Sequence, residues 1–260
     1  MTEKGGSEEV ARFLRQRAEF GSGELFLEGL TRHEVLALVA SRTGGAAQPG
    51  RADTRPSSMT DSEMPSPSAT APLDLSALDY DALEAEAKGC QLCRLARERT
   101  NVVFSDGNPK GRLMVVGEAP GANEDRTGLP FVGQAGKLLD LMLASIGLAR
   151  RDSVYICNVL KCRPPGNRDP MQDEIELCSP YLKRQIQLVA PEVILAVGTF
   201  SAKLLTGLSK PLGQLRGEIY AYEGVPLIVT YHPAALLRNS GWTRAAWDDL
   251  QLLGQQLDNR

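Results

Sequence analysis

The sequence predicts an α/β fold: a three-layer α/β/α sandwich around a mainly four-stranded parallel sheet, preceded by an N-terminal extension. Three observations support this. Four short apolar runs, at 113–116, 154–159, 193–197 and 227–230, have the length and composition of buried strands. Segments with helical spacing of apolar residues, such as 135–146 and 173–188, lie between them. Strands that alternate with helices imply a parallel sheet covered on both faces.

From the N-terminus, residues 8–20 place Val10, Phe13, Leu14 and Ala18 at helical spacing. Thr31 and Glu34 make a capping box ahead of the apolar run 35–39. Residues 1–42 are therefore expected to form a short helical extension. Gly, Ala, Pro, Ser and Thr dominate residues 43–73, which is the composition of a disordered linker. The globular pattern begins near Leu75, so one domain is expected over 74–260. Its first, second and fourth strands lead into polar or Gly/Pro-rich turns. In parallel sheets, ligands bind just beyond the carboxyl ends of the strands. The chemistry is thus expected at 117–121, 158–168 and 232–238.

The 260 residues are 42% hydrophobic and 23% charged, ordinary for a soluble globular protein. No stretch reaches the ~18 consecutive apolar residues of a membrane span. The start, Met1-Thr2-Glu3-Lys4, lacks the charged-then-apolar design of a signal peptide. A cytoplasmic protein with no membrane attachment is expected. The net charge is -3, and the acidic excess falls within the first 75 residues. The neutral remainder can still bind DNA through a local basic face, but charge alone does not single out nucleic acid.

The five cysteines suit a reducing compartment as metal ligands or thiols rather than as disulfides. Cys90 and Cys93 form a C-x-x-C, and Cys162 and Cys178 follow much later. Four thiolates suit zinc or an iron–sulfur cluster, with zinc slightly ahead on spacing alone. The distant pair reads equally well as small buried hydrophobes. Cys157 lies inside an expected strand and reads as core.

Three loop segments carry more information. The first strand runs into Gly117-Glu118-Ala119-Pro120-Gly121, followed by Asn123-Glu124-Asp125-Arg126-Thr127-Gly128-Leu129-Pro130-Phe131-Val132-Gly133. The second ends Asn158-Val159-Leu160-Lys161-Cys162-Arg163-Pro164-Pro165-Gly166-Asn167-Arg168. The fourth ends Tyr231-His232-Pro233-Ala234-Ala235-Leu236-Leu237-Arg238. In this order, and with the C-x-x-C ahead of them, these segments resemble the motifs of family-4 uracil-DNA glycosylases, over roughly residues 76–255.

The resemblance implies a monofunctional hydrolase that removes uracil from single- and double-stranded DNA and leaves an abasic site. It implies a structural [4Fe–4S] cluster on Cys90, Cys93, Cys162 and Cys178, in place of zinc. A monomer is expected, with residues 1–42 available to recruit a repair or replication protein.

The resemblance, together with what the reaction needs, implies roles for individual residues. A base buried in a duplex must be flipped into a pocket. Phe131, an aromatic in a polar Gly/Pro-rich loop, is the stacking candidate. Asn158 offers one donor and one acceptor, matching uracil N3–H and O4 and mismatching cytosine. His232 is the candidate donor to the charge that develops at uracil O2. Gly117, Glu118 and Ala119 are expected to line the pocket. Ala119 stands where the better-known branch of the superfamily has an Asp, so no strong general base carries over. Glu124 is the candidate for positioning water. Leu236 is expected to wedge into the stack, and Arg163, Arg168 and Arg238 to meet phosphates.

A branch that bonds covalently to the abasic product is disfavoured, because 211–221 contains none of the His that branch uses. A non-catalytic binder would not need the Phe131, Asn158 and His232 set. A zinc-stabilised nucleotide-binding domain would need a phosphate-loop signature, which is missing.

Overall fold

The computed structural model of the chain describes residues 74–259. The expected helical extension and linker, 1–42 and 43–73, lie outside the described residues. The fold opens with α1 (Tyr80–Gly89), which the Asp79 carboxylate caps by accepting the Ala82 N–H at 2.9 Å. A 3-10 turn follows at Arg94–Arg97.

The sheet has six strands: β1 (Asp106–Gly107), β2 (Leu113–Gly117), β3 (Val154–Asn158), β4 (Val193–Val197), β5 (Ile219–Tyr222) and β6 (Val225–Thr230), in the order β1-β3-β2-β4-β6-β5. The four expected strands form its parallel centre. The expectation of a four-stranded sheet is corrected at both edges, where β1 and β5 pair antiparallel. Neither edge has an apolar run to announce it. β1 is two residues long, and β5 alternates exposed with half-buried positions. A two-residue turn, Glu223-Gly224, joins β5 to β6 with both φ positive, at 49° and 81°. Positive φ at both turn positions matches the right-handed twist of a hairpin.

Every residue of β2, β3 and β4 is buried, as expected of strands covered on both faces. Alternate side chains supply the two cores. Met114, Val116, Ile194 and Ala196 face α4 (Gln172–Val189) and α5 (Thr199–Thr206). Leu113, Val115, Ile156 and Leu195 face α3 (Gln134–Ala144) and α8 (Thr243–Asp258). This is the expected three-layer sandwich. The parallel registers set Gly117 beside Asn158 and Val197 beside Thr230, so the carboxyl ends of the central strands share one edge.

Candidate active site

The loops at that edge enclose an open cavity of ≈ 800 Å³, lined among others by Glu118, Glu124, Phe131, Asn158 and His232. This lies within the roughly 300–1,000 Å³ usual for small-ligand sites, and leaves room for more than a single base.

Gly117 closes β2 against Asn158 at the end of β3. A β-carbon on Gly117 would sit 2.3 Å from Asn158 Oδ1 and 2.7 Å from Phe131 Cζ. Only glycine lets the amide and the ring come this close. The Asn158 side-chain amide lines the cavity, although the residue as a whole is buried. Its backbone carbonyl accepts from Lys161 Nζ at 2.6 Å. Lys161 is 2% exposed, and Nζ also donates to Gln185 Oε1 at 2.6 Å. The Gln185 amide continues to the Tyr155 hydroxyl at 2.8 Å. A buried polar chain therefore holds the end of β3 in place.

Phe131 adopts a left-handed backbone, φ 53°, which costs a non-glycine residue roughly 1–3 kcal/mol and persists only when its surroundings enforce it. Three contacts do so. Arg150, itself paired with Asp106 and Asp140, donates to the Phe131 carbonyl at 3.0 Å. Glu124 Oε1 accepts the N–H groups of Val132 at 3.0 Å and Gly133 at 3.3 Å. A β-carbon on Gly136 would lie 1.7 Å from the Phe131 carbonyl oxygen, so this close seat exists only over glycine. The Phe131 ring then stacks on His232, with centroids 5.5 Å apart and 27° between the planes.

His232 caps α7 (Pro233–Arg238), where its Nδ1 accepts the Ala234 N–H at 3.1 Å. In the neutral ring the proton must then sit on Nε2. Burial, reinforced by the Arg238 charge and opposed by Glu124, pushes its pKa down to about 4. At neutral pH the side chain is therefore an uncharged Nε2–H donor. Gly198, with φ 97°, passes behind it, and a β-carbon there would lie 3.1 Å from His232 Cβ. Burial, with the Asp169 charge adding to it, pushes the Glu118 carboxyl up to about 7.

The other residues expected at the site fall less uniformly. Ala119 lines the cavity. Arg168 lines it too, but its guanidinium forks onto the buried Glu174 carboxylate at 2.5 and 2.9 Å. Arg163 bonds Asn167 Oδ1 at 2.7 Å, and Arg238 stands exposed at the cavity edge. Leu236 is 6% exposed and packs in the core. The phase of α7 buries Pro233 and Leu236 and leaves Leu237 54% exposed. Tyr231, Trp242, Lys161, Arg150 and Gly198 were not anticipated.

Cys90, Cys93, Cys162 and Cys178 line one small apolar pocket, and Cys157 is core as expected. Arg99 Nη1 donates to Cys162 Sγ at 3.3 Å, and the Lys161 N–H to Cys178 Sγ at 3.4 Å. The Tyr181 hydroxyl is buried on the wall of the same pocket, beside Cys90. Donors aimed at sulfur favour electron-rich thiolates. Among the described residues no three His, Cys, Asp or Glu side chains converge tightly enough for a single metal ion. Four cysteine sulfurs around one pocket are a donor set that suits zinc or an iron–sulfur group.

Comparison with known proteins agrees with this geometry. The profile of the Uracil DNA glycosylase superfamily matches residues 104–251. A type-4 uracil-DNA glycosylase of Archaeoglobus fulgidus is 44% identical over 183 residues, covering 67% of this chain and 92% of that protein. One from Sulfurisphaera tokodaii is 44% identical over 179 residues, covering 66% and 81%. One from Pyrobaculum aerophilum is 46% identical over 169 residues, covering 62% and 86%. The chain belongs to the uracil-DNA glycosylase superfamily, in its type-4 branch.

Proposed function

We propose that the cavity takes up a flipped deoxyuridine and that Asn158, Phe131 and His232 divide the work of excising its base. The family's activity is uracil removal from DNA by hydrolysis of the N-glycosyl bond. The observation that carries the division of labour is the meeting of Asn158 and Phe131 over Gly117, with the Phe131 ring stacked in turn on His232.

The base stacks on Phe131, whose strained backbone is braced before substrate arrives. The Asn158 amide accepts from uracil N3–H and donates to O4. Cytosine reverses this pattern, and each buried group left unpaired costs roughly 1–3 kcal/mol. As the bond from N1 to the sugar breaks, negative charge builds at O2. The neutral His232 Nε2–H donates to it, which stabilises the transition state more than the ground state. Glu124 fixes the Phe131 loop through Oε1 and orients the attacking water with its other oxygen. Its charge also stabilises the cationic sugar. The C1′–N1 bond breaks with its electron pair leaving on the uracil anion, the water oxygen bonds the sugar carbon, and the proton that water loses passes to solvent. Leu237, rather than Leu236, takes the wedge position, and Arg238 meets a phosphate.

Cys90, Cys93, Cys162 and Cys178 hold a [4Fe–4S] cluster. Cys90 and Cys93 just past α1, Cys162 in the 158–163 segment and Cys178 in α4 would hold it, and it would serve there as a structural tie between these elements. The protein acts as a cytoplasmic monomer on single- and double-stranded DNA. Residues 1–42 form a docking element on a 43–73 linker, so deleting 1–73 leaves excision from free oligonucleotides intact.

Release of free uracil, measured on otherwise identical oligonucleotides carrying U, T or C, tests the reading. Release from U alone is expected. Equal release from C would refute reading by Asn158.

A further inference from the structure

The cavity is wider than one base, and its far rim carries a built aromatic stack. After α7 the chain makes a 3-10 turn, Ser240–Trp242, capped by Asn239 Oδ1, which accepts the Gly241 N–H at 3.1 Å. The Trp242 indole lies flat on Tyr231, with centroids 4.8 Å apart and only 9° between the planes. The Arg216 guanidinium covers the Tyr231 ring at 4.4 Å. Arg216 is itself fixed by the buried Asp249 carboxylate at 2.7 Å and by the Ala245 carbonyl. The stack is anchored deeply at the Arg216 end. At the Trp242 end it is 40% exposed.

Tyr231 directly precedes His232, so one peptide unit fixes the stack relative to the pocket. Tyr231 and Trp242 line the same cavity as Asn158 and Phe131, and Arg238 lines it beside them. A rigid, half-covered indole next to a cation has the chemistry of a platform for a nucleobase attached to a phosphate. Every base has a π-face, so such a platform binds without regard to sequence.

We propose that Trp242 forms a second nucleobase subsite, which stacks a base flanking the flipped nucleotide. The inference rests on the reading of the cavity as the uracil pocket. The flanking base is free to leave its neighbours most easily in single-stranded DNA, so the subsite acts most strongly there. It would hold the strand against the pocket mouth while the uracil is inside.

Two single-stranded oligonucleotides test this, one with ordinary bases beside the uracil and one with abasic tetrahydrofuran residues there. The quantity read is the ratio of kcat/KM on the first to that on the second. The ratio is expected to fall roughly 5- to 100-fold in Trp242→Ala and to survive in Trp242→Phe, in line with loss of one base–aromatic stack. Quenching of tryptophan fluorescence by the base-bearing strand should likewise diminish in Trp242→Phe, which keeps a ring but removes the fluorophore. A ratio unchanged in Trp242→Ala, or equal losses on both strands, would overturn the subsite and leave the indole a purely structural part of the stack. Wild-type failure to release uracil from either strand would instead overturn the pocket reading beneath it. Thermal melting of both variants separates misfolding from loss of the stack, and Trp242→Phe keeps the test valid if Trp242→Ala does not fold.

Discussion

The two pockets lined from the 158–164 stretch are built to opposite specifications. The cavity at the strand ends is open and presents groups free to bond a visitor: the Asn158 amide and His232 Nε2–H. The cysteine pocket is small and walled by apolar groups, and its donors from Arg99 and Lys161 already point at sulfur. One arrangement suits exchange of a ligand and the other suits a permanent resident. Lys161 belongs to both, since its backbone N–H serves Cys178 and its ammonium holds the Asn158 carbonyl. Stability and specificity thus meet in one short stretch of chain.

That contrast can be broken or sharpened by substitution. The largest stability effect is expected on the cysteine side. Cys178→Ala should abolish broad absorbance near ~400 nm and lower unfolding free energy by about 4 kcal/mol or more, as followed by denaturant titration. Retained absorbance and stability would remove the resident group from the account. On the other side, Gly117→Ala should leave absorbance intact and lower kcat/KM by roughly 10- to 100-fold, because the added carbon collides with both Asn158 and Phe131.

Lys161→Met sits between the two. It leaves the Asn158 carbonyl and Gln185 Oε1 short of a donor. Unfolding should become easier by roughly 1–3 kcal/mol, and discrimination between uracil and cytosine should weaken while absorbance persists. The smallest effect is in pH dependence. Because the Glu118 carboxyl is held up to about 7, the wild-type pH profile of kcat/KM should bend near neutrality, and Glu118→Gln should remove the bend. The His232 pKa, lowered to about 4, means its ring stays neutral as pH falls through 6.5 and adds nothing to that bend. The unfolded imidazole does take up a proton there, so the stability contributed by this residue declines as pH falls from 6.5 toward 4.

The parallel centre of the sheet was legible because its strands are uniformly apolar and bounded by Gly and Pro. The edge strands were not, since β1 is too short and β5 is half-exposed, so neither leaves a pattern. Asn158 and His232 were legible as polar residues at the ends of apolar strands. Arg168 and Leu236 have surroundings that the sequence did not announce. The signal against Arg168 as a free phosphate ligand was Glu174 in the first turn of the next helix, where it also accepts the Met171 N–H at 2.9 Å. The choice between Leu236 and Leu237 depends on a helical phase that two adjacent leucines do not reveal. The cysteine spacing left zinc and iron–sulfur open, because distance along the chain does not report where sulfurs meet in space. Trp242 lay outside the motif segments, although an aromatic ten residues past His232 in a chain only 5% aromatic was a usable signal.

The central claim is that Asn158 and His232 perform the recognition and the charge stabilisation at one pocket. Single-turnover release of uracil by wild type, Asn158→Ala and His232→Ala, with absorbance near ~400 nm recorded on each, tests it most directly. The account predicts that His232→Ala falls about 10²- to 10³-fold, the loss expected for one donor to a developing anion. Asn158→Ala should fall at least tenfold, and both proteins should keep the wild-type absorbance. Wild-type rates in either variant would contradict the account.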